Sequence, residues 1–323
     1  GILAELKSLI GDEGLDDGDL GDDEDFGFVP MAVSIDDDAG AAAPPLDFDL
    51  PPPVALEPEP AVAAGGVWII DFAPKTEMYA KANEAGLLGQ TIAGHEFPLR
   101  ITVHRGAGAY ICGEETALLS SLEGDKGQPR QKPPFPAVAG LYAAPTIVNN
   151  VQTICSIPHI VKHGAAWFAG INLEPESKSP GPRILSVSGH VQRPGVYEVE
   201  NGTPFRELIY DICGGMLPGR DLKAVIPGGS SMPMVPKDTI LETTTSFESI
   251  RAAGSQPGSG AVIVMDDSTS IPRAIWRIAK FYAHESCGKC TPCREGNPWT
   301  VKILDRIVAG RGDQRDLAIL DDI

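Results

Sequence analysis

Three cysteines share one spacing in the stretch HESCGKCTPCREG, residues 284–296: Cys287, Cys290 and Cys293. Thiolates at this spacing can wrap around one face of an iron–sulfur cube. A bacterial ferredoxin run would carry a further cysteine four positions later, where this chain has Asn297. The fourth ligand must then come from elsewhere. A zinc site in which His284 completes a Cys3His set is the alternative, because zinc accepts such sets.

The chain has six cysteines in all, and their uneven distribution bears on their chemistry. Three form the cluster, and the others, Cys112, Cys155 and Cys213, lie far apart in sequence. With no secretion leader apparent in a large acidic chain, this clustering favours a metal site over a disulfide framework.

A glycine-rich stretch, HRGAGAYICGEETALL at residues 104–119, comes between a strand pattern and a helix pattern. Gly106, Gly108 and Gly113 would let the backbone approach a flat or phosphorylated ligand closely, and helix N-terminal amides attract anions. The spacing is not that of a dinucleotide-binding GxGxxG loop. A tight turn, with Glu114 and Glu115 placed to favour the helix dipole, explains the stretch equally simply.

A proline-rich stretch, GQPRQKPPFPAVAGLY at residues 127–142, follows that helix. Its prolines predict an extended backbone that fixes Lys132 and Phe135 before a ligand arrives. The lysine could meet an anion and the ring could stack on a base. The alternative is a rigid surface connection with Phe135 as a core anchor.

Alternating element types predict a mixed architecture around these stretches. Strands are predicted at 66–72 and 97–104, and helices at 75–86, 114–124 and 149–170. After a Ser/Pro/Gly break, strands at 184–191, 195–200, 223–229 and 261–266 and a helix at 204–215 predict a compact α+β module. From Ser268 onward the pattern is helical, with one apolar face formed by Ile271, Ala274, Ile275, Ile278, Ala279 and Tyr282.

The charge is concentrated at one end of the chain. Of a net charge of -18, residues 1–66 carry -16, with 17 acidic residues and one lysine. We expect this proline-rich part to be a disordered acidic extension. The negative charge argues against nucleic-acid binding, and no apolar run is long enough to span a bilayer. We therefore expect a cytoplasmic protein.

From about Asn83 to the C-terminus, the chain resembles the NADH-binding, flavin-carrying subunits of NADH-quinone oxidoreductase (respiratory complex I) and the related diaphorase subunits. The segments that carry the resemblance are GAGAYICGEETALLSSLEGDKGQPRQKPPFPAVAGLY, PTIVNNVQTI, HGAAWFAGI, SGHVQRPGVYEV, IPGGSSMP and FYAHESCGKCTPCREG.

The resemblance implies FMN, NAD and a [4Fe-4S] cluster as cofactors. It implies that Gly106, Gly108, Gly113, Glu114 and Glu115 lie at the flavin and nicotinamide, that Lys132 and Phe135 contact NADH, and that Asn149 and Asn150 contact FMN. The cluster ligands would be Cys287, Cys290 and Cys293. No side chain need act as a catalytic nucleophile or base.

The resemblance also predicts four regions. Residues 1–66 are the extension, and 67–178 are a partial Rossmann-like α/β domain for FMN and NADH. Residues 179–266 are a ubiquitin-like β-grasp (SLBB-like) domain of α+β type. Residues 267–323 are a C-terminal helical bundle that binds the cluster and is expected to be truncated.

The family's GRGGAGFPTG-type loop, NADEGEPGTFKDR-type segment and FCALG-type segment are missing from the printed sequence. The implied function is electron transfer from NADH through FMN and the cluster to a quinone, with partners expected to be a thioredoxin-like [2Fe-2S] protein and a larger iron–sulfur protein of the same complex. The complex would lie peripherally on the inner membrane. A non-catalytic structural member of the same family, with zinc in place of the cluster, is the alternative.

Overall fold

The computed structural model describes residues 67–69, 84–85, 89–92, 95–102, 104 and 106–323. The predicted acidic extension and most of the predicted helix at 75–86 lie outside these residues. The described residues divide into two compact units between Ala144 and Pro145. Among their helices, none combines the length and the apolar character that a membrane span requires.

The first unit contains a three-stranded sheet in the order β1, β3, β2. Strand β1 (Val67–Ile69) runs parallel to β3 (His95–Thr102), and β2 (Gly89–Ile92) pairs antiparallel with the other side of β3. The strands predicted at 66–72 and 97–104 are confirmed. Strand β2 was not predicted, because GQTI is too short to display a period of two.

The glycine-rich stretch follows β3 and leads into helix α1 (Glu115–Leu122) through a 3-10 turn at Tyr110–Gly113. The helix predicted at 114–124 is thus confirmed. Thr116, Ala117, Leu119 and Ser120 are its buried residues.

The second unit begins with α2 (Val151–His163) and the short α3 (Ala165–Ala169). The predicted helix at 149–170 is confirmed as two helices separated by Gly164. The backbone of Gly164 has a φ of +90°, which a continuous α-helix cannot contain.

A five-stranded mixed sheet follows, in the order β5, β4, β8, β6, β7. Its strands are β4 (Pro182–Gly189), β5 (Gly195–Glu200), β6 (Leu222–Ile226), β7 (Val235–Pro236) and β8 (Ala261–Asp266). Strands β4 and β8 are parallel, and the other pairs are antiparallel. The four predicted strands of this module are confirmed, and only the two-residue β7 was missed.

Both faces of this sheet are covered, because alternate side chains of a strand point to opposite faces. Val262 and Val264 of β8 face a core that includes Phe205, Leu208 and Ile209. These three residues come from α4 (Phe205–Glu207) and the π-helical turn Leu208–Ile212 that continues it. Two further short helices, α5 (Lys237–Ile240) and α6 (Phe247–Ala252), precede β8.

The opposite face of the sheet supports helix α7 (Ile271–Glu285). Met265 of β8 packs in one cluster with Ile271, Ala274, Ile275 and Ile278, which confirms most of the apolar face read from the sequence. The Tyr282 hydroxyl lies 2.8 Å from Ser230 Oγ, in the loop after β6. The sheet therefore fixes α7, and α7 ends just before Cys287.

The remaining chain is helical as predicted, with a loop at 286–290. A π-helical turn (Pro292–Gly296) runs into α8 (Asn297–Val308), and α9 (Gln314–Asp322) follows. Helices α7 and α8 pack together, and the Trp276 indole donates a hydrogen bond to Asp305.

Candidate functional site

Glu114 caps the N-terminus of α1. Its Oε2 atom accepts hydrogen bonds from the backbone N–H groups of Thr116 (3.0 Å) and Ala117 (2.9 Å) and from the Thr116 hydroxyl (2.5 Å). Partial burial pushes the pKa of Glu114 upward, but these donors and the charge of Lys132 outweigh it, so the pKa lies below its usual range. Glu114 is therefore an ionised hydrogen-bond acceptor at neutral pH.

Lys132 of the proline-rich stretch meets both carboxylates at this helix end. Its Nζ atom donates to Glu115 Oε1 and lies 3.7 Å from Glu114 Oε1. The hydrogen bond with Glu115 raises the pKa of Lys132 above its usual value, against a smaller opposing effect of desolvation. The structure thus brings together three of the predicted site residues, with a net charge of one negative unit.

The glycine-rich stretch lies directly before this charged group. Gly108 has a φ of +82°, a conformation that favours glycine whatever its surroundings. Gly113 has no such φ, and a Cβ built there would meet no atom within 4 Å. Within the described residues, neither backbone nor packing explains the glycine at 113. The open space leaves the backbone of Gly113 accessible to a ligand.

The structure corrects one prediction for the proline-rich stretch. Its backbone is irregular and then bends at 132–134. A turn follows, closed by hydrogen bonds from the N–H groups of Val138 (2.8 Å) and Ala139 (3.0 Å) to the Phe135 carbonyl. The predicted extended form is therefore wrong from residue 132 onward, where the backbone bends and then closes a turn that the proline content did not reveal.

Phe135 is 58% exposed, so the alternative of a core anchor is also wrong. Its ring stands in solvent three residues after Lys132. A ring in that position is free of core packing and can stack on a flat ligand.

Asn149 and Asn150 lie in the second unit, at the start of α2. The Asn150 side-chain carbonyl accepts a hydrogen bond of 2.8 Å from Thr153 N, and this contact caps the helix. Both asparagines are exposed. Capping uses the carbonyl of Asn150 and leaves its amide group available to donate to a ligand.

The three clustered cysteines lie between α7 and α8. Cys287 and Cys290 are in the loop at 286–290, and Cys293 is in the π-helical turn. None of the six cysteines forms a disulfide. Cys290 is exposed, and the other two are half-buried.

Several polar groups surround this loop. Cys293 Sγ accepts a hydrogen bond of 3.2 Å from Asn297 Nδ2 and lies 3.3 Å from Ser286 Oγ. The Arg294 guanidinium donates to the carbonyls of Gly288 (2.9 Å) and Lys289 (3.4 Å) and so fixes the loop between the first two cysteines. Sequence reading missed Ser286 and Arg294 as supporting residues, although both lie within the quoted motif.

Two metal candidates were predicted at these cysteines, a zinc ion and an iron–sulfur cluster. A tetrahedral zinc ion, with Zn–S bonds of about 2.3 Å, holds its sulfur ligands within roughly 4 Å of one another. In the part of the chain that the structure describes, no three His, Cys, Asp or Glu side chains are gathered around a common metal position. The exposed His284 and the cysteines therefore form no preassembled zinc site. An iron–sulfur cube binds each thiolate through a different iron, and three cysteines can supply three of its four thiolate ligands.

Three family models match the chain. The Nuo51 FMN-binding domain matches residues 71–159, the SLBB domain matches 184–235, and the NADH-ubiquinone oxidoreductase-F iron-sulfur binding region matches 273–323. The first match contains the glycine-rich and proline-rich stretches, and the third contains all three clustered cysteines.

Individual proteins agree with these models. The chain is 53% identical to an NADH-quinone oxidoreductase F-subunit of Rhizobium meliloti over 256 residues, which cover 79% of this chain and 60% of that relative. It is also 53% identical to the corresponding F-subunit of Streptomyces coelicolor, over 76% of this chain and 54% of that relative. The chain thus spans between half and two thirds of these relatives.

A solved structure is also similar. The NAD+-reducing [NiFe]-hydrogenase in the H2-reduced state matches with a TM-score of 0.67 at 34% identity, over 80% of this chain and 43% of that chain. The fold over this part of the chain is therefore shared with that protein.

Proposed function

Since the chain belongs to the family of NADH-quinone oxidoreductase F-subunits, we propose that it accepts electrons from NADH and delivers them, one at a time, to partner subunits and finally a quinone. The observation that carries the proposal is the cysteine cluster. Three cysteines without disulfides lie at iron–sulfur spacing, inside the residues that match an iron–sulfur binding region. FMN, when bound, supplies the conversion between a two-electron hydride donor and one-electron acceptors.

The charged group at α1 supports a nucleotide site. The carboxylate oxygens of Glu114 and Glu115 accept hydrogen bonds, so they suit the hydroxyl or amide donors of a nucleotide and disfavour its phosphates. Lys132 is the group that suits a phosphate. Because Lys132 is paired with Glu115, a phosphate would have to compete with that carboxylate.

We assign residues to FMN, to the nicotinamide nucleotide and to the cluster by the hydrogen-bonding and metal-binding groups that they carry. Gly106, Gly108 and Gly113 of the first unit would offer FMN close approach to their backbone. Asn149 and Asn150 of the second unit are proposed separately as amide donors for FMN. Glu114, Glu115, Lys132 and Phe135 would bind the nicotinamide nucleotide. Cys287, Cys290 and Cys293 would bind three irons of a [4Fe-4S] cluster. No residue of this set acts as a nucleophile in the proposal.

The proposed domains are a partial Rossmann-like FMN and NADH domain at 67–178, a β-grasp domain at 179–266 and a helical cluster-binding bundle at 267–323. The SLBB match and the mixed sheet, whose core includes Phe205 of α4, support the second, and helices α7 to α9 support the third. The boundary between the two compact units, after Ala144, falls inside the first proposed domain.

We propose a thioredoxin-like [2Fe-2S] protein and a larger iron–sulfur protein as partner subunits, in a complex peripheral to the inner membrane on its cytoplasmic side. The multi-subunit character of the enzymes named in the comparisons supports this assignment. Co-purification of tagged chain from its native host tests it.

The metal assignment is tested by iron and acid-labile sulfide analysis of anaerobically purified protein. We expect iron and sulfide in the native protein and their loss in Cys290→Ser. The matched control is Cys155→Ser, which changes an exposed cysteine of α2 and should keep both. Stoichiometric zinc without sulfide would instead support the non-catalytic alternative.

The nucleotide assignment is tested separately by Glu115→Ala. Because Glu115 holds Lys132 and offers an acceptor to the substrate, we expect this change to raise KM for NADH strongly in the reconstituted enzyme. An unchanged KM would remove Glu115 from the site.

A further inference from the structure

A buried hydroxyl connects the proline-rich stretch to the carboxylate at the start of α1. Thr116 is 2% exposed, and its Oγ1 atom accepts a hydrogen bond of 2.8 Å from Arg130 N. A backbone N–H can only donate, so the hydroxyl proton is directed to its other partner, Glu114 Oε2, at 2.5 Å. One side chain thus contacts both Glu114 and the proline-rich stretch that carries Lys132.

The Arg130 side chain adds three more hydrogen bonds. Its guanidinium donates to Ser120 Oγ (3.1 Å), Glu123 Oε2 (2.6 Å) and the Gly140 carbonyl (3.2 Å). Thr116, Ser120 and Glu123 are spaced at i, i+4 and i+7, so they form one polar stripe along α1. The stretch is therefore anchored along the helix just before Lys132.

This anchoring fixes the position of Lys132. Only one residue separates Arg130 from Lys132, so little backbone freedom remains between the anchor and the ammonium group. The same Thr116 hydroxyl that ends the anchor also holds Glu114 Oε2, which leaves Oε1 as the atom nearest Lys132. The relative position of the carboxylates and the lysine therefore depends on Thr116 and Arg130.

We propose that Thr116 and Arg130 are positioning residues that set the affinity of the nicotinamide-nucleotide site by holding Lys132 against Glu114 and Glu115. This inference rests on the proposed function, since it takes those three residues to be the nucleotide contacts. Neither positioning residue touches the nucleotide itself in this proposal. Their contribution is to keep the site assembled before the nucleotide binds, which lowers the entropic cost of binding.

The experiment uses the reconstituted, flavin-loaded complex and two variants at one position. Thr116→Val keeps the shape and removes the hydroxyl, whereas Thr116→Ser keeps the hydroxyl and removes a methyl group. The readouts are the Kd for NAD+ from equilibrium dialysis, and KM and kcat for NADH with ferricyanide as the acceptor. Flavin and iron contents and the melting temperature are measured on the same samples.

For Thr116→Val we expect Kd and KM to rise about tenfold, as for the loss of one or two net hydrogen bonds. The value of kcat and the flavin and iron contents should stay within twofold of native, and Thr116→Ser should restore native Kd and KM. Arg130→Gln removes the guanidinium contacts and keeps the backbone N–H, so it tests the anchor even where Thr116→Val fails to fold. Arg206→Ala, which removes an exposed arginine 3.6 Å from Glu242, is the matched control and should leave all readouts unchanged.

Native affinity in both Thr116→Val and Arg130→Gln would overturn the inference. So would a loss of affinity that Thr116→Ser fails to restore. If the native complex itself does not bind NAD+ or oxidise NADH, the proposed function fails. That outcome is distinct from unchanged variants of an active complex.

Discussion

Replacing Asn297 by leucine should lower the reduction potential of the cluster that we propose at the three cysteines. Asn297 Nδ2 donates to Cys293 Sγ at 3.2 Å, and leucine has a similar shape without the donor. Hydrogen bonds to cluster sulfurs stabilise the reduced state more than the oxidised state, because the reduced state places more negative charge on sulfur. Removing the donor therefore makes reduction harder.

The size of the shift follows from the strength of one such bond. A net hydrogen bond is worth about 0.5–1.5 kcal/mol. For a one-electron couple, about 1.4 kcal/mol corresponds to about 59 mV. Since the difference between oxidation states is at most the whole bond, we expect the potential to fall by up to about 60 mV.

The assay is an anaerobic redox titration of the complex followed by electron paramagnetic resonance. Thr300→Val, which changes a half-buried residue of the same helix, is the control and should leave the potential unchanged. Ser286→Ala removes the other polar neighbour of Cys293, at 3.3 Å, and should shift the potential in the same direction as Asn297→Leu. A potential in Asn297→Leu equal to or above the native value would refute the reasoning.

Three further outcomes are expected. Gly288→Ala and Gly310→Ala change glycines at φ +74° and +66°, so each should lower the free energy of unfolding by about 1–2 kcal/mol, as measured by thermal denaturation. Only Gly288→Ala, which lies between two of the clustered cysteines, should also reduce the amount of bound iron. The pKa of Asp316 is lowered by its hydrogen bond with Arg306. This pair therefore stabilises the fold at pH values above the usual aspartate pKa, and the stabilisation is lost as pH falls through the lowered pKa. Asp316→Asn should lower the urea midpoint at pH 7, and in acid the midpoints of the variant and the native protein should converge. Phe205→Ala empties a fully buried position and should cost about 3–5 kcal/mol in chemical denaturation, and a cost below about 1 kcal/mol would contradict the described core.

Local patterns in the sequence were sufficient for several elements of the fold. Strands at 195–200 and 261–266 have the predicted bounds, because β-branched and other apolar residues are concentrated in them and turn residues flank them. The face of α7 that packs on the sheet was likewise predicted from residues three and four apart, from Ile271 to Ile278. Such patterns work because the residues that define them are neighbours in the chain.

Contacts between distant residues escaped prediction. Arg130 meets Thr116 across 14 positions, and nothing in either local pattern indicates that pairing. The exposure of Phe135 was also undecided, because an aromatic ring in a proline-rich stretch suits a core or a surface equally well. Position 297 was noted only because it holds asparagine where a ferredoxin run would have a cysteine. The hydrogen bond from Asn297 to Cys293 depends on the helical turn between them.

The sequence by itself determined the kind of chemistry available: the thiols at one spacing, the paired carboxylates after a glycine loop, and the lysine that follows. These depend on residue type and order, which no fold can change. Only the tertiary structure decided that Lys132 faces Glu114 and Glu115, which hydroxyl and guanidinium hold it there, and which donor meets Cys293. Those relations depend on distances between chain segments, and packing fixes such distances only when the whole unit folds.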